Sequence, residues 1–402
     1  MNGLHSRLIG AILLVAGITV GAAMLALPVS TGRSGFFPSL VTMVFVWAYL
    51  AYAALCLLEV QLSLPKDSNL VSMAEHTLGR VGKWISWSAY LFLLYALNTA
   101  YLAGTISLFQ DVIFQITGRE PPSLLCAIPQ LLVFALLLRG SVRTIDSVNR
   151  LCMSGLLLSF CILIMLAFPY IETKNFTSHN WIYVLPSFSI VLTAFGFHVI
   201  IPSLVSYLDS NVKDLKRAIW IGSLIPLIAY IVWQATTLGV IPLKGPQSIE
   251  TAYETGMTGS QLLGLATQNS KLNWIDETFG FFAIITSFLG VSMSLFDFLV
   301  DGLKTREWSR KTWKIFLIAF VPPLYFALSY KRAFFSALEY AGAFGVVILL
   351  ALIPALMTWR KRYVLHLPSA YTAPGGKKLL IIFIGISFCF VILEALIKIE
   401  GI

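Results

Sequence analysis

The chain has 402 residues, 58% of them apolar and only 12% charged, with a formal net charge of +9. So little charge cannot cover a soluble core of that size, which excludes an ordinary globular enzyme and points to a polytopic membrane protein whose helix bundle is the domain. In that setting the positive balance orients the chain in a bilayer and does not signal a nucleic acid or another acidic partner.

A helix needs about 20 apolar residues to cross the hydrocarbon. Eleven such runs occur, at 8–30, 36–62, 84–114, 123–139, 149–169, 183–207, 218–241, 275–300, 313–330, 334–358 and 378–399. The first continues to Pro28 and is followed by ten others, so it reads as a span and not as a signal peptide. With the N-terminus placed inside, 20 of the 28 Lys and Arg residues fall in inner loops, among them Lys304, Arg306, Arg310 and Lys311, and 8 fall outside. The bias predicts a cytoplasmic N-terminus and, after eleven spans, a periplasmic C-terminus.

Span 1 is interrupted. It reads Val15-Ala-Gly-Ile-Thr-Val-Gly-Ala-Ala-Met-Leu-Ala-Leu-Pro28. Gly17 and Gly21, four apart, suit either a small-residue packing seam or an unwound turn whose backbone N–H groups point at an anion. Glu59 lies near the inner end of span 2. Span 3 carries Tyr95, Asn98 and Tyr101 at offsets of three, read as one polar face that lines a cavity or bonds a neighbouring helix. Span 6 carries Phe195, Gly196, Phe197 and His198, followed by Pro202. Gly196 suits a break, free carbonyls there can accept from an ammonium group, and the flanking aromatics can wall an apolar side chain. His198 is the only histidine within a span and is a candidate proton carrier or an interhelical hydrogen bonder. Backbone broken at membrane depth is tolerated only against protein or a water-filled cavity, so two breaks five spans apart predict a solute site where they meet. Five-span blocks of opposite topology predict an inverted repeat, 1–170 and 183–358, with 378–399 as an extra helix.

The connection 242–274 is long and polar. Its stretch 259–268 reads as a short helix, in either a lid or a plain connector. Span 8 holds Thr286, Ser287, Ser292 and Ser294, hydroxyls fit to ligate an ion or bond a helix, and Asp297 and Asp301 one turn apart at its inner end. Intramembrane acids are functional candidates by default, and Glu59 and Asp297 read as an inner gate, an ion pair or a proton relay. Cys56, Cys126, Cys152, Cys161 and Cys389 show neither metal spacing nor a disulfide framework. There is no phosphate loop, HExxH or nucleophile elbow, so no enzyme and no cofactor are implied. The paired breaks favour a secondary transporter over a channel, which would show a filter repeat or rings of charge.

Thr19-Val-Gly-Ala-Ala-Met-Leu-Ala-Leu-Pro28 and Phe195-Gly-Phe-His-Val-Ile-Ile-Pro-Ser-Leu-Val-Ser-Tyr-Leu-Asp209 resemble the hydroxy and aromatic amino acid permease family. Leu57-Leu-Glu-Val60, Tyr95-Ala-Leu, Ala100-Tyr-Leu, Thr286-Ser-Phe-Leu-Gly-Val and Leu295-Phe-Asp-Phe298 agree, in order, over nearly the whole chain. The resemblance implies an all-α integral membrane protein of eleven helices in the leucine-transporter-like fold of the amino acid–polyamine–organocation superfamily. It also implies proton-coupled import of an aromatic amino acid, tyrosine first, across a bacterial inner membrane. By that resemblance Gly17, Thr19, Val20, Gly21, Ala22, Ala23 and Met24 hold the substrate carboxylate. Phe195, Gly196, Phe197 and His198 receive the ammonium and part of the ring, and Asn98 and Tyr101 complete the pocket. Two positions depart from the family pattern. Ala23 stands where relatives usually carry Gly, and Leu156 stands in span 5 where a proton-coupled relative can use Lys. With Thr286 and Ser287 at hand, sodium coupling stays open beside proton coupling.

Overall fold

The computed structural model describes residues 2–66, 68–139, 142–302, 313–330, 332–368 and 370–400. Lys304, Arg306, Arg310 and Lys311, which contribute to the charge bias, lie outside the described residues, as does Lys331.

The chain begins with a bent pair, α1 (Asn2–Thr19) and α2 (Ala23–Gly32), which meet at 58°. Then come α3 (Phe36–Gln61), α4 (Leu70–Thr117), α5 (Ser123–Arg139) and α6 (Val142–Ala167). The second half opens with α7 (Val184–Ala194) and α8 (Ile201–Tyr207), separated by a short irregular stretch, followed by α9 (Val212–Val240). Two short helices, α10 (Ile249–Thr255) and α11 (Gly259–Thr267), precede α12 (Ser270–Gly302). The rest is α13 (Trp313–Ser329), α14 (Ala333–Tyr340), a π-helical stretch (Ala341–Leu352) continuous with α15 (Ile353–Tyr363), and α16 (Gly376–Glu400).

Among the described residues, eight helices are long and apolar enough to cross a membrane, or nine with the bent pair taken as one span. Two of the eleven apolar runs form shorter helices, Ser123–Leu138 and Trp313–Ser329. At about 1.5 Å per residue a 16- or 17-residue helix falls short of a bilayer core of about 30 Å. Among the described residues there is no strand. α4 is longer than the run 84–114 because a further helical stretch precedes it. Gly79 divides the two with φ of 77°, a conformation that few residues other than glycine adopt.

The lipid-facing surface is apolar, and large aromatics sit near helix ends: Trp84, Trp181, Trp274, Trp313 and Tyr330 are all exposed. That is the interfacial belt expected of a bilayer protein. Helix starts are set locally. Asn211 accepts from the amides of Lys213 and Asp214 at the start of α9, and Thr258 and Gln261 form a reciprocal capping box on α11. The 259–268 expectation is thus met within a residue, whereas α10 was not anticipated.

Both ends of the bundle are clasped by polar contacts. At the end that carries Arg7, the fully buried Glu59 carboxylate of α3 accepts from Lys361 Nζ at 2.8 Å, from the Arg362 guanidinium of α15, and from the Ala373 amide at 2.7 Å. α16 is fastened to the bundle by Ser189 of α7, which donates to Glu394, and by a Lys398–Glu339 pair. At the Gly32 end, α10 and α11 pack over α2, and α11 also rests on α9 and α12.

Candidate functional site

The α1–α2 break spans Val20 to Ala22. Its backbone groups are partly spoken for. Val20 N–H still reaches the Ala16 carbonyl at 3.0 Å, and the Gly21 and Ala22 carbonyls accept from Met24 and Leu25 in the first turn of α2. The Ala22 amide donates to Ser287 Oγ of α12 at 2.8 Å, while that hydroxyl donates to Ala283 O. A Cβ on Gly21 would sit 2.3 Å from Ser287 Oγ, so glycine there is what allows α12 to approach the broken backbone. The N-terminus of α2 brings the positive end of a ten-residue helix to the same point.

In the second break, α7 stops at Ala194 and a single turn, His198–Ile200, leads into α8. The connecting bonds are long: Phe195 N to Leu192 O is 3.3 Å and Gly196 N to Thr193 O is 3.4 Å. Tyr230 of α9 joins the two breaks. Its hydroxyl lies 2.7 Å from the Thr19 carbonyl and 3.0 Å from the Ala194 carbonyl. One helical turn along, Trp233 Nε1 donates to Met24 O at 3.0 Å.

Between the breaks lies a cavity of about 570 Å³, within the roughly 300–1,000 Å³ that ligand clefts occupy. Gly17, Thr19, Val20, Gly21, Ala22 and Ala23 form one wall and Thr193, Gly196, Val199 and Ile200 the opposite one. Thr286, Ser287, Gly290 and Ser294 of α12 and Tyr90, Leu97 and Tyr101 of α4 close the sides, with Val346 and Leu350 from the π-helical stretch. The cavity extends toward the Arg7 end, where Asn149 and Arg150 line it. Toward the Gly32 end it is shut by packed rings: Trp233 against Phe279 at 5.3 Å and Phe279 against Phe160 at 5.7 Å, with Trp233 and Phe279 fully buried.

The structure therefore gathers Gly17, Thr19 to Ala23, Tyr101, Gly196, Thr286 and Ser287 at one cavity, and leaves several expected residues behind its walls. Met24 is buried beneath the break. Phe195 faces α9, its ring 5.2 Å from that of Tyr230. Phe197 and His198 pack against each other at 5.1 Å, and the fully buried His198 ring points away from the cavity, toward the Leu50 backbone of α3. Tyr95, Asn98 and Tyr101 do not share a face. Three residues advance a helix by about 300°, so each offset of three drifts by about 60°. Tyr95 donates to Ile318 O of α13, Asn98 accepts from Ser292 of α12 at 2.6 Å, and only Tyr101 reaches the cavity. Glu59 is held in its ion network, and Asp297 lies beside Tyr90 at the Arg7 end. Leu156 is buried and does not line the cavity, while Met153, one turn before it, packs on Gly17. Sequence reasoning passed over the stripe Tyr90, Leu93, Leu94, Leu97, Tyr101. Its three- and four-residue spacing was the available signal.

Residues 5–394 match the tryptophan/tyrosine permease family. The chain belongs to that family. It is 33% identical to the tyrosine-specific transport systems 1 and 2 of Haemophilus influenzae, over 94% and 98% of both chains respectively. It is 30% identical to the tryptophan-specific transport protein of Pseudomonas aeruginosa, over 89% of this chain and 87% of that one. These are transport proteins and not enzymes, and a multi-pass membrane protein with a solute-sized cavity at two helix breaks is the architecture such a protein needs.

Proposed function

We propose that this permease imports an aromatic amino acid, tyrosine first and tryptophan or phenylalanine as further candidates, by proton symport with alternating access across a bacterial inner membrane. The observation that carries the reading is the cavity bounded by both breaks, with the positive end of α2 on one wall and Tyr90, Tyr101 and a set of aliphatic side chains around it. The α-carboxylate belongs at the α1–α2 break, next to the positive end of the half-helix. The ammonium belongs near Gly196, on the opposite wall of the cavity, and the ring belongs among Tyr101, Val199, Val346 and Leu350. In this proposal the eleven apolar runs are eleven spans, α5 and α13 being the short ones. The two five-span blocks form an inverted repeat of the leucine-transporter-like kind, and α16 is the extra helix. With the N-terminus cytoplasmic, the cavity opens to the cytoplasm and is shut toward the periplasm.

A second reading, a sodium-coupled permease for another neutral amino acid, has one observation in its favour. Thr286 and Ser287 place two hydroxyls beside the α1 break, a setting suited to a hard monovalent cation. Uptake of labelled tyrosine into proteoliposomes under an imposed pH gradient, compared with an imposed sodium gradient, separates the two. Competition by unlabelled tryptophan, phenylalanine and glutamine ranks substrates. Accumulation driven by sodium alone would replace the proton assignment, and equilibration without accumulation under either gradient would indicate a passive channel.

A further inference from the structure

A second, much smaller cavity of about 20 Å³ lies at the Gly32 end, between α4, α11 and α12. It has room for a single water molecule. Three carboxylates line it: Asp111 of α4 and Asp276 and Glu277 of α12. Two are engaged. Asp111 accepts from Gln261 of α11, and Glu277 accepts from Gln115 and from Asn273. Asp276 is not. It is 1% exposed, and neither carboxylate oxygen has a hydrogen-bond partner. The Gly264 amide lies close enough to act on it, but not in hydrogen-bonding geometry.

No lining residue is basic. The charged groups near Asp276 are Glu277 on its own helix and Asp111 on α4, with Glu120 acting on Asp111 from further out. α11 contributes hydroxyl and amide groups only, from Ser260 and Gln261 with Thr258 at its cap, and α2 carries no charge. An ionised carboxylate shut in this way, unpaired and beside like charges, is among the costliest groups a fold can bury. A metal cation does not answer the need. A hard divalent cation takes six or more oxygens, and no group of three or more acids, histidines or cysteines placed to hold a metal ion occurs among the described residues. A proton needs one oxygen.

What encloses Asp276 is the α10–α11 cover. Gln261 latches it to α4 through Ser107 at 2.9 Å and through Asp111. Gly264 lets α11 lie directly on α12: a Cβ there would meet Asn273 Oδ1 at 2.2 Å. We propose that Asp276 is a proton-binding site that must take up one proton from the aqueous phase at the Gly32 end whenever the α10–α11 cover closes over it. On closure the carboxylate gains a proton and becomes the neutral acid. On opening the same proton returns to that phase. The site thus makes closure of this end sensitive to the pH outside it. This goes beyond the symport reading and holds whichever cation drives uptake.

Hydrogen–deuterium exchange over residues 249–267 of the purified protein, compared between variants at the same pH, tests the site. At acid pH wild type and Asp276→Asn should be protected alike. At alkaline pH the wild-type cover should exchange faster than the Asp276→Asn cover, the open-to-closed ratio of the wild type rising by up to about tenfold per pH unit for one linked proton. Asp276→Glu should restore the pH dependence. Equal exchange in wild type and Asp276→Asn at both pH values overturns the proposal. If Asp276→Asn does not fold, the wild type alone decides: cover exchange, normalised to a buried stretch of α3, must still rise with pH, and a flat profile overturns it. The gradient-driven uptake assay reports the symport reading separately, so either can fail without the other.

Discussion

Two glycines at the breaks are expected to differ in what they tolerate. A methyl group at Gly21 would fall 2.3 Å from Ser287 Oγ and displace the hydroxyl that receives the Ala22 amide, whereas at Gly196 its nearest neighbour would be a Leu350 methyl at 3.4 Å. Gly21→Ala should therefore cut tyrosine uptake by tenfold or more, and Gly196→Ala should leave at least half. Leucine at either position intrudes on the cavity and should abolish uptake with membrane insertion intact. Initial rates in cells, normalised to the amount of inserted protein, check all four, and normal uptake by either leucine variant would remove the site assignment. Tyr230 gives a second test. Its hydroxyl has one proton and two carbonyls within reach, so it donates to one at a time and holds the two breaks in register. Tyr230→Phe leaves a buried acceptor unserved at a cost of about 1–3 kcal/mol. It should lower the melting temperature in detergent and weaken substrate binding together; a variant that melts lower but binds normally would make Tyr230 a purely structural pin.

At the scale of elements, the breaks were legible because Gly21, Gly196 and Pro202 interrupt runs that are otherwise uniformly apolar. The backbone chemistry of a bilayer makes such interruptions costly unless they border a cavity. Which side chains face inward was less legible. The aromatic pair around Gly196 looked like a cavity wall, yet once helical geometry is lost at Ala194 no periodicity fixes direction, and Phe195, Phe197 and His198 turn into the packing against α9 and α3. On α4 geometry persisted, but a polar stripe was chosen over the mixed one that begins at Tyr90. Hydroxyl and amide groups bond neighbouring helices as readily as they line cavities. Glu59 illustrates a polar group whose role is set by elements far apart in sequence, since its partners Lys361, Arg362 and Ala373 are some 300 residues away. Removing one member of a buried ion pair strands the other, at about 3–5 kcal/mol. Glu59→Gln should thus lose thermal stability in detergent far more than Asp301→Asn, whose side chain is exposed. Equal melting temperatures for the two variants would show that the α3–α15 clasp contributes little.

At the scale of the molecule, the arrangement of ends and openings hangs on orientation. The large cavity reaches toward the Arg7 end, past Asn149 and Arg150, while Trp233, Phe279 and Phe160 seal the Gly32 end beneath the α10–α11 cover. Opening at one end with closure at the other is the form a substrate would leave or enter from a single side. The 20 to 8 distribution of Lys and Arg is what supports the proposed cytoplasmic placement of the Arg7 end. The same proposal carries a parity. α5 and α13 are 17 residues each, short for a bilayer, yet they lie between longer helices whose loop charges alternate only if both cross. If both cross, the ends of the chain lie on opposite sides. If one does not, the ends share a side and every loop beyond the failing helix inverts. A C-terminal alkaline phosphatase fusion should accordingly be active and a C-terminal green fluorescent protein fusion dark. Fusions after 209, between α8 and α9, should behave the opposite way. A fluorescent C-terminal fusion combined with a fluorescent fusion after 209 would place the fault in α13 or another late helix. It would break the five-plus-five symmetry of the proposed inverted repeat, while the cavity bounded by both breaks would stand.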